Sequence, residues 1–179
     1  MTDYGLLAKQ IVSFAEVDAH WLPVLSNAAA LLWDALDDIN WAGFYLVDPA
    51  TVAGAELDAG SEPGAGPSAQ NPSAPELRLG PFQGKVACVR ILFGRGVCGT
   101  AAATKTSQLV EDVHQFPGHI ACDSASNSEV VIPIFKDDQV VGVLDIDSPS
   151  VARFTKEDLA GLEQVVKALE SCTNFSAFC

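Results

Sequence analysis

The spacing of apolar residues predicts two amphipathic helices, one near each end of the chain. After Pro23, apolar side chains recur every three or four residues as far as Ile39, which is typical of one face of a helix of about four turns. A second stripe of this kind runs from Thr155 to Leu169. Because Thr155 and Asp158 can form a capping box, we expect the second helix to begin there.

Short segments rich in branched and aromatic residues predict strands between these helices. The predicted strands are Trp41–Val47, Leu77–Leu79, Ala87–Phe93, Gln108–Val113, Val130–Phe135 and Gln139–Ile146. The last two flank the polar turn Lys136–Asp138 and predict a hairpin. Alternation along the first strand puts Trp41, Gly43 and Tyr45 on one face. Strand pairs with helices at both ends predict an α+β fold, an antiparallel sheet covered by helices.

Three segments show neither the three-to-four-residue spacing of a helix nor the two-residue alternation of a strand. Pro49–Glu76 contains 16 Pro, Gly or Ala among its 28 residues, and we expect a loop that joins two strands rather than a domain boundary. His114–Ser128 is a long polar loop of the kind that often carries function. The tail Ser171–Cys179 has no usable pattern. We therefore expect one domain over residues 1–179, with an insertion loop at 49–76 and a tail at 171–179.

Charge and composition narrow the candidate partners. The chain has 10 basic and 23 acidic residues, for a net charge of −13, which repels phosphate backbones and anionic lipid headgroups. Nucleic acid and membrane are thus poor partners. No apolar stretch is long enough to span a bilayer, and the start lacks a basic segment followed by an apolar one. We expect a cytoplasmic protein.

The five cysteines form no CxxC pair, and their number is odd, so structural disulfides are not expected. The run Gly94–Gly99 matches G-x-G-x-x-G, but the following helix is too short for a dinucleotide-binding βαβ unit, and we expect a tight turn instead. A zinc site is another interpretation, although its spacings match no common motif. Its ligands would be Cys88, Cys98 and Cys122 with His114 or His119.

A redox site is a third interpretation of the thiols. Cys122 lies in the polar loop among small residues, which leave its sulfur accessible. Cys98 follows Arg95 at a helix start, where positive charge and backbone N–H groups would favour a thiolate. Two such thiols would supply a nucleophile and a resolving partner. The alternative, that the cysteines are small core residues, stays open.

Acidic residues occur where the pattern is otherwise apolar. Asp145 and Asp147 end the last predicted strand and share one face, and Glu129 opens its hairpin partner. The three residues form either a solvated strand end or a cluster in which burial and like charge raise a carboxyl pKa.

Six motifs follow one another along the chain: Trp41-Ala-Gly-Phe-Tyr45, Gly80-Pro-Phe-Gln-Gly-Lys-Val-Ala-Cys88, Gly94-Arg-Gly-Val-Cys-Gly-Thr-Ala-Ala102, His119-Ile-Ala-Cys-Asp-Ser124, Ser128-Glu-Val-Val-Ile-Pro133 and Gly142-Val-Leu-Asp-Ile-Asp-Ser148. In this order they resemble the free methionine-(R)-sulfoxide reductases, which belong to the GAF superfamily. The resemblance implies about six antiparallel strands with helices on both faces. It also implies reduction of free L-methionine-(R)-sulfoxide through sulfenic acid and disulfide intermediates.

The resemblance also implies roles for individual residues. The catalytic thiol falls on Cys122 and the principal resolving thiol on Cys98. Cys88 can form an alternative disulfide with Cys122 or remain as a spare thiol. Further site positions, the acids that hold the sulfoxide oxygen or the amino group and the aromatic pocket residues, fall on Glu129, Asp145, Asp147, Trp41 and Tyr45.

The implied partners are free methionine sulfoxide and thioredoxin or a related dithiol, with no metal or organic cofactor; a homodimer is compatible with this interpretation. The alternative function is a GAF sensor that binds a small molecule such as a cyclic nucleotide without chemistry.

Overall fold

Six strands form an antiparallel sheet in the computed structural model, which describes residues 2–51, 75–118 and 124–178. The order across the sheet is β3-β2-β1-β6-β5-β4. The strands are β1 (Trp41–Val47), β2 (Glu76–Gly84), β3 (Arg90–Leu92), β4 (Gln108–Val110), β5 (Ser128–Lys136) and β6 (Gln139–Ser148). The helices are α1 (Tyr4–Ala15), α2 (Trp21–Ala35), α3 (Gly96–Thr104) and α4 (Lys156–Cys172).

The two faces of the sheet carry separate apolar clusters, as the period of two predicts. Ala42, Phe44 and Leu46 of β1 face a large core formed with α1, α2 and α4. Trp41 and Tyr45 of the same strand face a smaller cluster that includes α3. The predicted α+β architecture, with helices on both faces, is therefore confirmed.

The helices differ from prediction in two places. Helix α1 was not predicted, although Leu7 and Ile11 follow the helical spacing and are buried. Helix α2 ends at Ala35 rather than Ile39: Leu36 is extended, and Asp38 has a positive φ of 57°, which ends the helix. The capping box predicted at the start of the last helix is present.

The strand bounds also differ from prediction, although each observed strand overlaps a predicted one. β2 is longer than expected because it pairs along the whole of β1, whereas the edge strand β3 pairs through three residues only. β4 ends at Val110, and a short 3-10 turn follows at Val113–Gln115. The β5–β6 hairpin is confirmed, with Asp137 and Asp138 both at positive φ in a two-residue turn.

The C-terminal segment packs into the main core despite its lack of pattern. Phe175 is fully buried, and the Phe178 ring meets Trp21 edge-on at a centroid distance of 5.2 Å. Of the insertion loop predicted at 49–76, residues 52–74 lie outside the described residues, and Glu76 begins β2 rather than ending the loop. No helix among the described residues combines the length and the apolar character needed to cross a bilayer.

We expect Phe175→Ala to lower the free energy of unfolding by about 3–5 kcal/mol, because it leaves a cavity in the core. Urea unfolding measures this loss, with Phe178→Ala as the matched control that removes a half-buried ring and costs less. A loss under about 1 kcal/mol for Phe175→Ala would show that the C-terminal segment does not contribute to the core.

Candidate active site

The register of β1, β5 and β6 brings the predicted acidic and aromatic residues together. Asp147 pairs with Glu129 on one side and with Trp41 on the other, and Asp145 pairs with Gly43. Because alternate residues share a face, Tyr45 lies on this face as well. Glu129 and Asp145 are buried and Asp147 is half-buried. The expectation of an acidic cluster rather than a solvated strand end therefore holds for Glu129 and Asp145.

Helix α3 adds the Cys98 thiol to this cluster. A Cβ on Gly99 would collide with the carbonyl oxygen of Leu92, so glycine is needed for the first turn of α3 to pack this closely. Cys98 is 4% exposed, and its Sγ donates to Glu129 Oε1 at 3.9 Å. α3 leads into β4, which is antiparallel to β5, so this segment is a tight turn rather than a βαβ unit, as predicted.

The cluster holds its protons more tightly than isolated carboxyl groups do. Burial raises the pKa of Glu129 well above its usual range, and the charges of Asp145 and Asp147 raise it further. Burial also raises the pKa of Asp145, to about 6, although hydrogen bonds from Cys98 and Glu129 oppose the rise. Glu129 is therefore the proton donor of the pair at neutral pH, and Asp145 is the acceptor.

The prediction that the Cys98 environment favours a thiolate is wrong. Burial raises the pKa of the Cys98 thiol well above its usual range, and the negative charges of Asp145 and Glu129 add to the rise. Arg95 is exposed and does not offset them. Cys98 does lie in the first turn of α3, but desolvation and like charge outweigh the helix terminus. The thiol is thus neutral in this arrangement.

Stacked aromatic rings form the wall beside the acids. The Trp41 ring stacks on Tyr45 at a centroid distance of 5.7 Å and on Phe82 at 5.3 Å. A Cβ at Gly43 would collide with Phe82, so glycine is required between these rings. Burial raises the pKa of Tyr45, whose hydroxyl stays protonated. Sequence reasoning missed Phe82; its pairing with Gly43 across β1 and β2 was the signal.

Two buried polar atoms in this wall have no hydrogen-bond partner within the described ranges. They are the Trp41 indole Nε1, a donor, and Asp145 Oδ1, an acceptor. Trp41 is 3% exposed and Asp145 6% exposed. Leaving such groups unpaired costs about 1–3 kcal/mol each, so buried polar groups are usually paired. A ligand with both an acceptor and a donor could pair them.

Of the two remaining candidate cysteines, the structure describes Cys88 but not Cys122. Cys88 is half-buried and disulfide-bonded, and neither Cys98 nor Cys172 is its partner, since both are free. The sequence predicted no structural disulfide but allowed a redox disulfide at Cys88, and the bond at Cys88 is compatible with that redox interpretation. The predicted catalytic residue Cys122 lies outside the described residues.

The predicted zinc ligands that the structure describes do not form a zinc site. His114 is exposed, with Nε2 2.9 Å from Asn127 Oδ1, whereas Cys98 is buried against the acids. His119 lies outside the described residues. Ligand atoms of Cys98, Glu129 and Asp145 do lie within 4.8 Å of one another, a spacing that their mutual hydrogen bonds already explain.

We expect Glu129→Gln to stabilise the protein more at pH 8 than at pH 5. An unfolded glutamate ionises near pH 4.3. The folded Glu129 ionises at much higher pH, so folding binds a proton and the stability of the native chain falls as pH rises. Glutamine at position 129 does not ionise, so the variant does not lose stability in this way as pH rises. Urea unfolding at the two pH values tests it, with exposed Glu157→Gln as control. An equal difference from wild type at both pH values would contradict the raised pKa.

Comparisons with known proteins agree with this architecture. The GAF domain family model matches residues 14–172. The free methionine-R-sulfoxide reductase of Escherichia coli is 50% identical over 93% of this chain and 86% of that protein. A structure of fRMsr from Staphylococcus aureus, in its reduced form, is 49% identical in sequence to this chain. The match has a TM-score of 0.78 and covers 96% of this chain and 95% of the other.

The free methionine-R-sulfoxide reductase structure from Neisseria meningitidis, in complex with its substrate, is 39% identical with a TM-score of 0.79, over 97% of this chain and 89% of the other. Each of these matches covers most of this chain and most of the relative, which confirms the family resemblance found in the sequence. The chain belongs to the free methionine-(R)-sulfoxide reductase family of GAF-domain proteins.

Proposed function

We propose that this protein reduces free L-methionine-(R)-sulfoxide to methionine with electrons from its thiols. The family supports the substrate, and the buried pair of Glu129 and Asp145 supports the chemistry. A sulfoxide sulfur is a poor electrophile until its oxygen is protonated. The observation that carries the proposal is the raised pKa of Glu129, which lets this carboxyl hold a transferable proton at neutral pH.

The first step would use Cys122, whose role follows from the family resemblance. Its thiolate attacks the substrate sulfur while Glu129 donates a proton to the oxygen. The substrate sulfur–oxygen bond breaks, the oxygen is transferred to the Cys122 sulfur to give a sulfenic acid, and methionine leaves. The thiolate sulfur loses two electrons and the substrate sulfur gains them.

Cys98 would then act as the resolving thiol. Once Glu129 has given up its proton, its carboxylate lies 3.9 Å from the Cys98 sulfur and can accept the thiol proton. The resulting thiolate attacks the sulfenic acid of Cys122, a disulfide forms and water leaves. The raised pKa thus keeps Cys98 neutral until the acid has acted.

The site also suits a free amino acid. The substrate ammonium group can pair with the Asp145 carboxylate, and its sulfoxide oxygen can accept hydrogen bonds from Trp41 and Glu129. These contacts would satisfy the two orphaned atoms. Asp147, half-buried at the strand end, would assist at the oxygen, and the stacked rings of Trp41 and Tyr45 would hold the thioether carbons. A sulfoxide within a polypeptide has no free ammonium to offer.

The oxidised enzyme would be reduced by thioredoxin or a related dithiol, with Cys88 as the further thiol of the exchange. Such reductants are maintained in the cytosol, which agrees with the cytoplasmic location predicted above. A non-catalytic sensor would bind its ligand and leave it unchanged.

Turnover separates the two functions. With dithiothreitol as reductant, we expect free methionine-(R)-sulfoxide to be reduced and the (S)-epimer to be left. Cys122→Ser should abolish this activity because a hydroxyl is too weak an acid to supply the nucleophile. Without added reductant, Cys98→Ser should give one stoichiometric turnover and a sulfenic acid that dimedone traps. Cys172→Ser, which removes a half-buried thiol on α4, is the control.

Ligand binding without turnover would establish the sensor instead. Activity that persists in Cys122→Ser would move the nucleophile to another thiol. With thioredoxin as the reductant, a Cys98→Ser variant with wild-type steady-state rates would exclude Cys98 as the resolver.

The amide variants should separate the two carboxyl roles. We expect Glu129→Gln to lower kcat by roughly 10²–10⁴, the usual range for general acid catalysis, with a small change in KM. Asp145→Asn should mainly raise KM because it removes the charge that holds the ammonium. Steady-state kinetics on both variants measures the split, with Glu157→Gln unchanged. Wild-type kinetics in both variants would remove the cluster from catalysis.

A further inference from the structure

Three buried side chains of the acidic cluster place their ligand atoms close enough to share a cation. Among the residues that the structure describes, Cys98, Glu129 and Asp145 are the one set of three or more His, Cys, Asp or Glu side chains with ligand atoms within 4.8 Å of one another. Thiolates and carboxylates both bind Zn²⁺ in proteins, and a site with three protein ligands keeps a fourth position open. The set therefore has the ligand number and the chemistry of such a site.

The distances within this set are close to those of a tetrahedral zinc site. Bonds of about 2.3 Å to sulfur and about 2.0 Å to oxygen place the two ligand atoms about 3.5 Å apart. The Cys98 Sγ lies 3.9 Å from Glu129 Oε1. The hydrogen bonds that set the present spacing are the contacts that a cation would replace. Only a small contraction is therefore needed for both atoms to bind one ion.

An unpaired oxygen of Asp145 is independent evidence for a ligand at this place. The Asp145 carboxyl group hydrogen-bonds with Cys98 and Glu129, whereas its Oδ1 has no hydrogen-bond partner in the parts of the chain that the structure describes. Asp145 is 6% exposed, so bulk water does not readily satisfy this oxygen. A cation bound to the cluster would satisfy it. Under the proposed function the substrate ammonium pairs with the same carboxylate, so the ion and the substrate would exclude each other.

Burial makes the charge of the cluster suitable for a divalent cation. Cys98 and Glu129 are 4% and 5% exposed, and thiolates or carboxylates in such surroundings are poorly stabilised by water. A bound cation supplies the opposite charge, and a thiol that coordinates zinc loses its proton. Asp147, which pairs with Glu129 across β5 and β6, is half-buried and gives the cluster a side that solvent reaches. An ion can enter from that side.

We propose that the reduced protein binds Zn²⁺ through Cys98, Glu129 and Asp145 and that the ion reversibly inhibits the enzyme. The inhibition rests on the proposed function, because the ion would occupy the resolving thiol, the proton donor and the ammonium-binding carboxylate together. Binding forms one zinc–sulfur and two zinc–oxygen bonds, and the thiol and carboxyl protons pass to solvent. No electrons are transferred. The ion is thus a competitor of the substrate rather than a cofactor of the reaction.

Cobalt is the probe for binding, because Co²⁺ occupies zinc sites and a cobalt–thiolate bond gives a charge-transfer band in the near ultraviolet. The full chain is reduced with a phosphine, which is then removed, and is titrated with cobalt chloride. We expect the band with stoichiometric Co²⁺ in the native chain and in Cys122→Ser, and its loss in Cys98→Ser. Cys172→Ser, which removes a half-buried thiol on α4, is the matched control and should keep the band.

The carboxylate ligands are tested by the dissociation constant for Co²⁺. Glu129→Gln and Asp145→Asn should each raise it by about tenfold or more, since the loss of a group that only supports a metal ligand already costs about 10–100-fold. Glu129→Gln is expected to stabilise the folded chain, so weaker binding in this variant does not reflect unfolding. Exposed Glu157→Gln should bind Co²⁺ as the native chain does.

Inhibition is measured in a single turnover of the reduced protein, because dithiol reductants chelate zinc. We expect saturating Zn²⁺ to slow the reduction of methionine sulfoxide by about tenfold or more, since general acid catalysis by Glu129 is lost, and EDTA to restore the rate. Cys98→Ser completes one turnover without this metal ligand, so Zn²⁺ should slow it much less.

Three results would overturn parts of this inference. A cobalt–thiolate band that persists in Cys98→Ser, or equal Co²⁺ affinity in Glu129→Gln, Asp145→Asn and Glu157→Gln, would overturn the metal site. Binding of Zn²⁺ without slower turnover would overturn the inhibition. A metal-free native chain that leaves methionine sulfoxide unreduced would contradict the proposed function, and the cobalt spectrum would still decide the metal site.

Discussion

The chemistry of this protein depends on the burial of two carboxyl groups beside a thiol. Glu129, Asp145 and Cys98 share hydrogen bonds in a region closed to solvent. Withdrawal of charges from water favours their protonated forms, and proximity of like charges strengthens this preference. The same arrangement opposes folding at neutral pH, since each charge that remains is poorly solvated. The apolar core on the other face of the sheet must offset that cost.

The sheet separates these two requirements. β1, β5 and β6 carry apolar side chains toward α1, α2 and α4 on one face, and they carry the acids and rings on the other. Because the register between these strands is regular through the site, Glu129 stays opposite Asp147 and Asp145 stays opposite Gly43. A shift by one residue would move every one of these side chains to the opposite face. Helix α3 then places Cys98 over the acids.

Local features of the sequence were sufficient to predict most of the sheet. The short turn after Lys136 sets the β5–β6 register, and period-two alternation separates Trp41 and Tyr45 from Phe44. The protonation of Cys98 could not be predicted in this way. It depends on burial against residues 31 and 47 positions away in the chain, whereas the sequence showed only Arg95 and a helix start nearby. Phe175 and Phe82 were missed for the same reason, since their partners are distant in sequence.

Infrared spectroscopy of the reduced protein tests the central claim, that Glu129 keeps its proton at neutral pH. A buried protonated carboxyl absorbs as a C=O stretch, apart from the bands of carboxylates. We predict such a band at pH 7 in the native protein and its loss in Glu129→Gln. A difference spectrum that contains only carboxylate bands would mean that Glu129 is ionised, and the proposed proton donor would then be wrong.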